Sequence, residues 1–509
     1  MTEQSDRDFG NGVPLVDLPE GEIVAGKVKD QDVVVVRRGK EILAVDALCS
    51  HYHGPLKDGI VVGNTIRCPL HHACFSLKTG EALAAPALDP LQCWRTEQVG
   101  DLVFVREILK AELASQASSQ TPESVVIVGG GAAGLCAAEM LRRERYRGRI
   151  TILSADGDAP YDRPNISKDF LAGNAPPEWM PLRVPDYYDT HNIDLLLNTR
   201  VSSIDRVQKQ VALESGKTYK YGALLLATGA QPVPLEVEGL DAASIYYLRS
   251  FDDARHLAVA VGSAKRVVIV GAGFIGLETA ASLRARGIEV HVVAPGSTPL
   301  GKVLGDEVGR FVRELHESHG VVFHLGRRLA SVTDHAVTLD DGSQIHGVYL
   351  IVAGIGVHPR LELAEQAGLT IDRGVVVNRY LMTSDPNIYA AGDIARWPDP
   401  HSGKSIRVEH FVIAQRQGQT VARNILGKQE PFEAVPFFWS QHYDVAINYV
   451  GYPEFFDQSR ITGSIEERDC QIDYMLAGET VAVATIGRDK VSLEAELQFE
   501  SVRADDQVQ

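Results

Sequence analysis

Four residues within one short stretch have the types and spacing of metal ligands. Cys49-Ser50-His51 is followed, after 16 residues, by Cys68-Pro69-Leu70-His71, so two loops each offer one thiolate and one imidazole. Such a set can hold a tetrahedral zinc ion. It can also hold a two-iron, two-sulfide cluster in which the two cysteines ligate one iron and the two histidines the other. The pairing separates these chemistries, because zinc fingers group like with like, whereas each loop here is mixed. His53 and His72 stand beside the ligands and are expected to be solvated imidazoles next to the metal centre.

A second kind of chemistry lies further along. The apolar run Val125-Val126-Ile127-Val128 leads into Gly129-Gly130-Gly131-Ala132-Ala133-Gly134 and then a helical stretch from Leu135 to Leu141. A strand, a G-x-G-x-x-G turn and a helix make a pyrophosphate cradle. Gly129, Gly131 and Gly134, with Ala133 among them, let the backbone close on the anion, and the helix N-terminus presents free N–H groups and a positive dipole end. The unit recurs at Arg266–Val270, with Gly271-Ala272-Gly273-Phe274-Ile275-Gly276 and a helix through Leu283. Two such folds imply two dinucleotides.

The elements around these motifs divide the chain. At ~100–200 residues per domain, 509 residues should make three or four domains. Residues 12 to 108 read as short strands, such as Val33–Val36, Ile42–Val45, Gly59–Val62 and Leu102–Val105, separated by turn residues. Ser/Gln-rich residues 109–123 read as a linker. A hydrophobic content of 45% with 23% charged residues is that of an ordinary globular protein. The net charge of −17 argues against nucleic acid, whose binders need a basic face, and against an anionic membrane surface. There is no run of ~18 apolar residues to span a bilayer, and the first residues show no signal peptide. Cys74, Cys93, Cys136 and Cys470 are scattered and read as small buried hydrophobes, which points to the reducing cytoplasm.

The mixed ligand pattern, with Gly54-Pro55 after the first pair and Phe75 after the second, resembles a Rieske ferredoxin domain. That resemblance implies a [2Fe–2S] cluster held by Cys49, His51, Cys68 and His71. The two glycine turns, together with Leu226-Ala227-Thr228-Gly229 and Ala391-Gly392-Asp393, resemble the two-dinucleotide-domain flavoproteins. Within that group the likeness is to flavin-dependent ferredoxin reductases and apoptosis-inducing-factor-like proteins. It implies FAD in the first fold, touched by Ala227, Thr228, Gly229 and Gly392, with Asp393 hydrogen-bonded to the ribityl chain. As a plain reading, Asp393 caps a helix. The second fold then takes NAD(P)H. Tyr161-Asp162-Arg163-Pro164 and Ser167-Lys168 resemble a segment of that family in which Arg163 contacts FAD and Lys168 sits by the flavin ring. Glu278 matches a carboxylate placed near the nicotinamide, although an acid in a first helical turn is also simply stabilising. Phe411 stands where a Trp is common in the helix that closes over the flavin, and Trp439 is expected near the flavin at the docking face. An acid about 20 residues past the first glycine normally binds the ribose 2′-OH, and an Arg there accommodates a 2′-phosphate. Asp156 is near that place in the first fold, while the second strand ends Val292-Val293-Ala294-Pro295 with neither. NADH is therefore expected in preference to NADPH.

These readings combine into a multidomain architecture: a small β Rieske domain (1–108), a linker (109–123), two α/β Rossmann-like domains and a C-terminal α+β domain (433–509). The FAD domain takes 124–243 and 355–432, and the NAD(P)H domain 244–354. Disulfide reductases of this plan carry a cysteine pair soon after the first glycine turn, whereas here only Cys136 lies between Gly134 and Lys168. Electrons must leave the flavin by another route. A hydride donor supplies two electrons together and a [2Fe–2S] centre accepts one, so the expected order is NAD(P)H, FAD, cluster and external acceptor, with Lys168 and Glu278 tuning the ring. The acceptor is a protein such as an oxygenase, or a small oxidant. The alternatives are a self-contained reductase of a quinone or nitro compound, and an NADH-responsive signalling protein. Respiratory-type Rieske proteins carry a Ser and two extra Cys where this chain has Ala73, Gly54 and Leu70. That difference implies a cluster of low potential.

Overall fold

Four consecutive valines, Val33 to Val36, occupy the middle of the strand Gln31–Arg38, and all are fully buried. Successive side chains of a strand point to opposite faces. Val33 and Val35 accordingly enter one apolar cluster with Phe9, Trp94 and Val103, while Val34 and Val36 enter another with Leu56, Ile66 and Phe75. The strand is thus the wall between two small cores, which explains a continuous apolar run in an antiparallel sheet. The structure is a computed structural model that describes residues 7–109, 121–239, 245–333, 336–348 and 350–502. Most of the expected linker, 110–120, lies outside the described residues.

The chain divides into two units, one built from the N-terminal region with residues 488–503, the other from residues 118–487. In the first, an antiparallel sheet runs in the order Val13–Pro14, Leu102–Ile108, Cys93–Val99, Glu41–Asp46, Gln31–Arg38 and Ile23–Val28. A second sheet of short strands runs Ile60–Val62, Thr65–Arg67, Cys74–Ser76 and Ala82–Ala84. One ligand loop leaves the strand Glu41–Asp46 and the other connects Thr65–Arg67 to Cys74–Ser76. The expected C-terminal domain of 433–509 is divided between the units. Its strands belong to the larger one, and the helix Asp489–Ser501 packs with the ligand-loop unit, burying Leu493 and Glu496. The helical pattern of 489–501 does not by itself say which surface it covers.

The larger unit contains two parallel sheets of the doubly wound kind. The first runs Ile193–Leu196, Arg149–Leu153, Ser124–Val128, Ala223–Leu226 and Ile388–Ala390, so a strand from beyond the second nucleotide fold completes it. The second runs Ile245–Tyr247, Leu350–Ala353, Arg266–Val270, Glu289–Ala294 and Val321–Leu325. The helices Ala132–Arg143 and Phe274–Ala285 follow their glycine turns. The helix Phe411–Ile425 lies close against Ala132–Arg143, and a Cβ on Gly418 would stand 2.2 Å from the Ala133 carbonyl oxygen, so only glycine permits that approach. A five-stranded antiparallel sheet, beginning with Phe437–His442 and Val445–Gly451, buries Ile447, Tyr449 and Tyr474 against Leu304, Val308 and Val312 of the helix Gly301–Ser318. Among the described residues, no helix is long and apolar enough to cross a membrane.

Candidate functional site

The two ligand loops are closed in the same way. The Cys49 N–H donates to the Gly54 carbonyl and the Cys68 N–H to the Ala73 carbonyl, both at 2.9 Å, while the His53 and His72 N–H groups return to the carbonyls of Cys49 and Cys68. His53 and His72 both adopt the left-handed conformation, at φ 55° and 59°, and turn the two loops. The Nδ1 atoms of His51 and His71 face each other at 3.3 Å. The Cys49 and Cys68 thiols are buried and hydrogen-bonded to one another, which holds Cys68 below the ordinary thiol range and pushes Cys49 up, with burial adding to the rise. Burial lowers His51 to about 4, so its ring is neutral and able to bind a metal. The donors therefore sort into a sulfur pair and a nitrogen pair. That arrangement suits two irons with two protein ligands each, and no three such side chains converge on a single ion among the described residues. Backbone N–H groups of His51 and Tyr52 point at the Cys49 sulfur, and those of Leu70 and His71 at the Cys68 sulfur. A Cβ on Gly54 would meet the Cys68 sulfur at 2.8 Å, so the first loop can cross here only as glycine. Exposed Tyr52 stacks on His51 with ring centroids 4.1 Å apart.

His72 is not the solvated imidazole that its position beside a ligand led us to expect. Its Nδ1 lies 2.6 Å from Glu496 Oε2, and both side chains are fully buried. Arg67, which begins the same loop, pairs with Glu500 at 2.8 Å. Both acids come from the C-terminal helix.

The first glycine turn fits a dinucleotide. Gly129 has φ +121°, and a Cβ there would stand 2.0 Å from the Ala227 carbonyl oxygen, whereas space beside Gly131 is open. Gly131 caps the helix Ala132–Arg143 without a side-chain bond, leaving the first amides available to an anion. Gly271 and Gly273 repeat this geometry at the second turn, with φ +111° and open space respectively. Asp393 Oδ2 pairs with Arg249 at 2.5 Å. Arg249 is lowered first by burial and then by Arg163, and Arg360 by burial and then by Arg249, so three guanidinium groups lie near one another, two of which, Arg163 and Arg249, interact with the Asp393 carboxylate. Arg163 Nε, His410 Nδ1 and Gln417 Nε2 are buried without a protein partner. An excess of positive charge with unmet donors is the chemistry an FAD pyrophosphate and isoalloxazine edge would satisfy. Asp156 is held in its loop by the Asp158 N–H and the Tyr161 hydroxyl. Phe411 opens the helix over this region and Trp439 lies beside Phe437; both are partly buried.

The two tuning residues expected separately are in contact. Lys168 Nζ lies 2.8 Å from Glu278 Oε2, which also accepts from the Ser167 hydroxyl at 2.5 Å, and Glu278 Oε1 accepts from the Ser440 hydroxyl at 2.6 Å. The flavin segment, the second nucleotide helix and the C-terminal sheet thus meet at one buried carboxylate. At the nucleotide end, the Arg327 N–H donates to the Ala294 carbonyl, which brings an arginine beside the strand end that had seemed to lack one; its guanidinium pairs with Asp341 at 2.9 Å.

Two glycine turns, a flavin-type Gly-Asp turn and a two-sulfur, two-nitrogen site define an iron–sulfur flavoprotein oxidoreductase. Residues 123–418 match the pyridine nucleotide-disulphide oxidoreductase family model, and residues 13–95 match the Rieske [2Fe-2S] domain model. Human apoptosis-inducing factor 3 is 30% identical over 494 residues, covering 93% of this chain and 81% of the relative. Putidaredoxin reductase CamA of Pseudomonas putida is 35% identical over 376 residues, covering 72% of this chain and 89% of its own. The solved covalent putidaredoxin reductase–putidaredoxin complex aligns with a TM-score of 0.72 at 34% identity, over 74% of this chain and 93% of that one. The chain belongs to the pyridine nucleotide-disulphide oxidoreductase family and carries an N-terminal Rieske domain. It is a ferredoxin-reductase-type NAD(P)H oxidoreductase, with FAD and a [2Fe–2S] cluster as its cofactors.

Sequence reasoning missed Arg249, Arg360, Ser440, His410 and Glu496. For Ser440 the available signal was its place beside Trp439, and for His410 its place beside Phe411. Nothing in the local spacing of Arg249, Arg360 and Glu496 points to the site, because each reaches it through the fold from a remote segment.

Proposed function

We propose that the chain accepts hydride from NADH and passes electrons singly through its own Rieske cluster to an external one-electron acceptor, a redox protein of the kind that serves an oxygenase. The single observation that carries this reading is the pairing of an N-terminal cluster site with a flavin site that has no dithiol. Cys136 is fully buried in the helix Ala132–Arg143, and burial pushes its thiol well above the ordinary range, so it offers no sulfur outlet. FAD, when bound, supplies the conversion of a two-electron donor into a one-electron one. The residues of the chain bind and orient. The glycine turns and Arg163 hold phosphate, Asp393 takes a ribityl hydroxyl, and Phe411 and Trp439 cover the ring. Lys168 is held by Glu278, and neither need act as a nucleophile, since hydride transfer asks chiefly for placement. NADH is favoured because Arg327, the basic group beside the second strand end, is already neutralised by Asp341.

The name putidaredoxin reductase supports a redox-protein partner, because the solved complex joins such a reductase to putidaredoxin. The test is anaerobic titration of the full chain with NADH, followed by flavin absorbance and by EPR of the reduced cluster. Flavin bleaching should come first and the cluster signal second. Cys68→Ser should lose the cluster signal and keep bound FAD and NADH–ferricyanide activity. A cluster that stays oxidised under excess NADH in the wild-type chain would remove the relay. In that case the chain works as a self-contained reductase of a small molecule, the second reading.

A further inference from the structure

From Glu278 a line of hydrogen bonds continues away from the nucleotide folds. The Ser440 hydroxyl, which donates to Glu278 at 2.6 Å, is 3.2 Å from His442 Nε2. His442 Nδ1 is 3.1 Å from His316 Nε2, and His316 Nδ1 is 3.3 Å from the Tyr443 hydroxyl. Ser440, His442 and His316 are all buried, at 1%, 0% and 0% exposure. Tyr443 is half-buried and stacks on exposed His319 with ring centroids 3.6 Å apart. It sits at the turn between Phe437–His442 and Val445–Gly451 in the left-handed conformation, φ 58°, which swings its ring toward the helix Gly301–Ser318. Every member has both a donor and an acceptor, so the line can be read in either direction.

We propose that Ser440, His442, His316 and Tyr443 form a proton relay that connects the Lys168–Glu278 pair with solvent. The proposal rests on the hydride-accepting reading above. A hydride carries two electrons and one proton. When two one-electron acceptors each take an electron, NADH and two oxidised acceptors become NAD⁺, two reduced acceptors and one proton, and that proton has to be discharged once per NADH. Glu278, in contact with Lys168, is the group placed to receive it, and the relay gives it a way out. The proton moves from Glu278 Oε1 to Ser440 while the Ser440 proton passes to His442 Nε2. The His442 Nδ1 proton passes to His316 Nε2, the His316 Nδ1 proton to the Tyr443 hydroxyl, and the Tyr443 proton to water. One proton enters and one leaves, and no net charge rests on any link.

Two features favour a concerted relay over a charged stop. Burial lowers His442 to about 3, with the Lys168 charge adding to the effect, and lowers His316 to about 2, with His442 and His319 adding. Both rings are therefore neutral in the folded chain, as links that exchange one proton for another must be. In addition, nothing in ordinary core packing requires two histidines, a serine and a tyrosine in file. A leucine or phenylalanine would fill the same space without polar atoms to satisfy.

The experiment uses full-length holoenzyme reduced with one equivalent of NADH, then mixed with ferricyanide in weak buffer containing a pH-indicator dye. In the wild-type chain the proton should appear in bulk at the rate of flavin reoxidation. In His442→Ala it should lag by ~10²-fold, the low end of what a positioned proton-transfer group contributes, and added imidazole should restore it. Tyr443→Phe, which removes one hydroxyl at the far end and leaves the core filled, should show the same lag. A readout independent of turnover comes from nitrogen-15 NMR of histidine-labelled protein, in which Ser440→Ala should shift the ring nitrogens of both His442 and His316. Proton release that keeps pace with reoxidation in both His442→Ala and Tyr443→Phe overturns the relay, as does a His316 ring that ignores Ser440→Ala. A wild-type chain whose flavin NADH does not bleach overturns the hydride-accepting reading instead, so the two failures are distinguishable.

Discussion

Replacing Glu496 by Leu tests whether the C-terminal helix belongs to the cluster-bearing unit. The hydrogen bond it removes is 2.6 Å long and joins two side chains at 0% exposure. Leucine matches the bulk of the acid but leaves the His72 ring without this partner in a place water does not reach, a loss of ~1–3 kcal/mol. Arg67–Glu500 remains, but its side chains are 16% and 30% exposed, and a pair so placed contributes only ~0–1 kcal/mol. At roughly 2–8 °C per kcal/mol for units of this size, cluster bleaching on heating should begin several degrees earlier. The assay follows cluster absorbance and flavin fluorescence in the same thermal scan. Only the cluster transition should move, because Glu496 lies in the smaller unit. Glu496→Gln, which keeps an acceptor, should recover most of the shift. If Glu496→Leu lowers the flavin transition and leaves the cluster transition in place, the helix supports the wrong unit and the reasoning fails.

Three further outcomes follow from the site. Asp393→Ala should weaken FAD by about 10- to 150-fold, the equivalent of ~1.5–3 kcal/mol for a charge-assisted contact, and should also leave Arg249 facing Arg163 without its carboxylate; fluorescence titration with FAD would show this, and unchanged affinity would reduce Asp393 to a structural role. Burial holds His410 and His442 at about 3 and His316 at about 2 against an ordinary 6.5, so the unfolded chain takes up these protons first and stability of the larger unit is lost as pH falls from ~6.5 toward ~3, with a slope of up to ~4 kcal/mol per pH unit for three protons; urea midpoints measured across that range check it, and a flat profile refutes it. The cluster midpoint should lie near the low end of the Rieske range, roughly −150 mV, because Ala73 has no hydroxyl and backbone N–H groups are the donors found at the sulfurs; a potentiometric titration followed by EPR that gives a value well above zero would show that other donors dominate.

What was legible in the sequence was mostly what the backbone dictates. The glycine turns could be read because the close approaches at Gly129 and Gly271 admit no side chain, and such a demand leaves a mark at the position itself. The strands around them are continuous apolar runs, as strands buried on both faces must be: Val267 and Ile269 enter one core, while Val268 and Val270 enter another. The mixed thiol and imidazole pairs stood out for a similar reason, since such pairs have few other uses. By contrast, the C-terminal helix was assigned to the wrong neighbour, because its own pattern shows only that it buries one face.

Glu278 shows why the rest stayed hidden. Its carboxylate is shared by Ser167, Lys168 and Ser440, residues that lie more than a hundred positions away on either side. Taken alone, an acid in the first turns of a helix is a favourable charge near a dipole, a serine in a strand is unremarkable, and a lysine after a turn is a surface charge. Each reading is sound locally and is overturned only by burial, which forbids a carboxylate to remain without partners. A buried acid must therefore collect donors from whatever elements the fold brings to it, and three elements that carry different parts of the chemistry meet here. The same requirement extends the line. Ser440, which donates to Glu278, has His442 as its other polar neighbour, and His442 in turn has His316. Polar satisfaction in a dry interior thus runs outward until it reaches a residue with access to water, and Tyr443 is where it arrives.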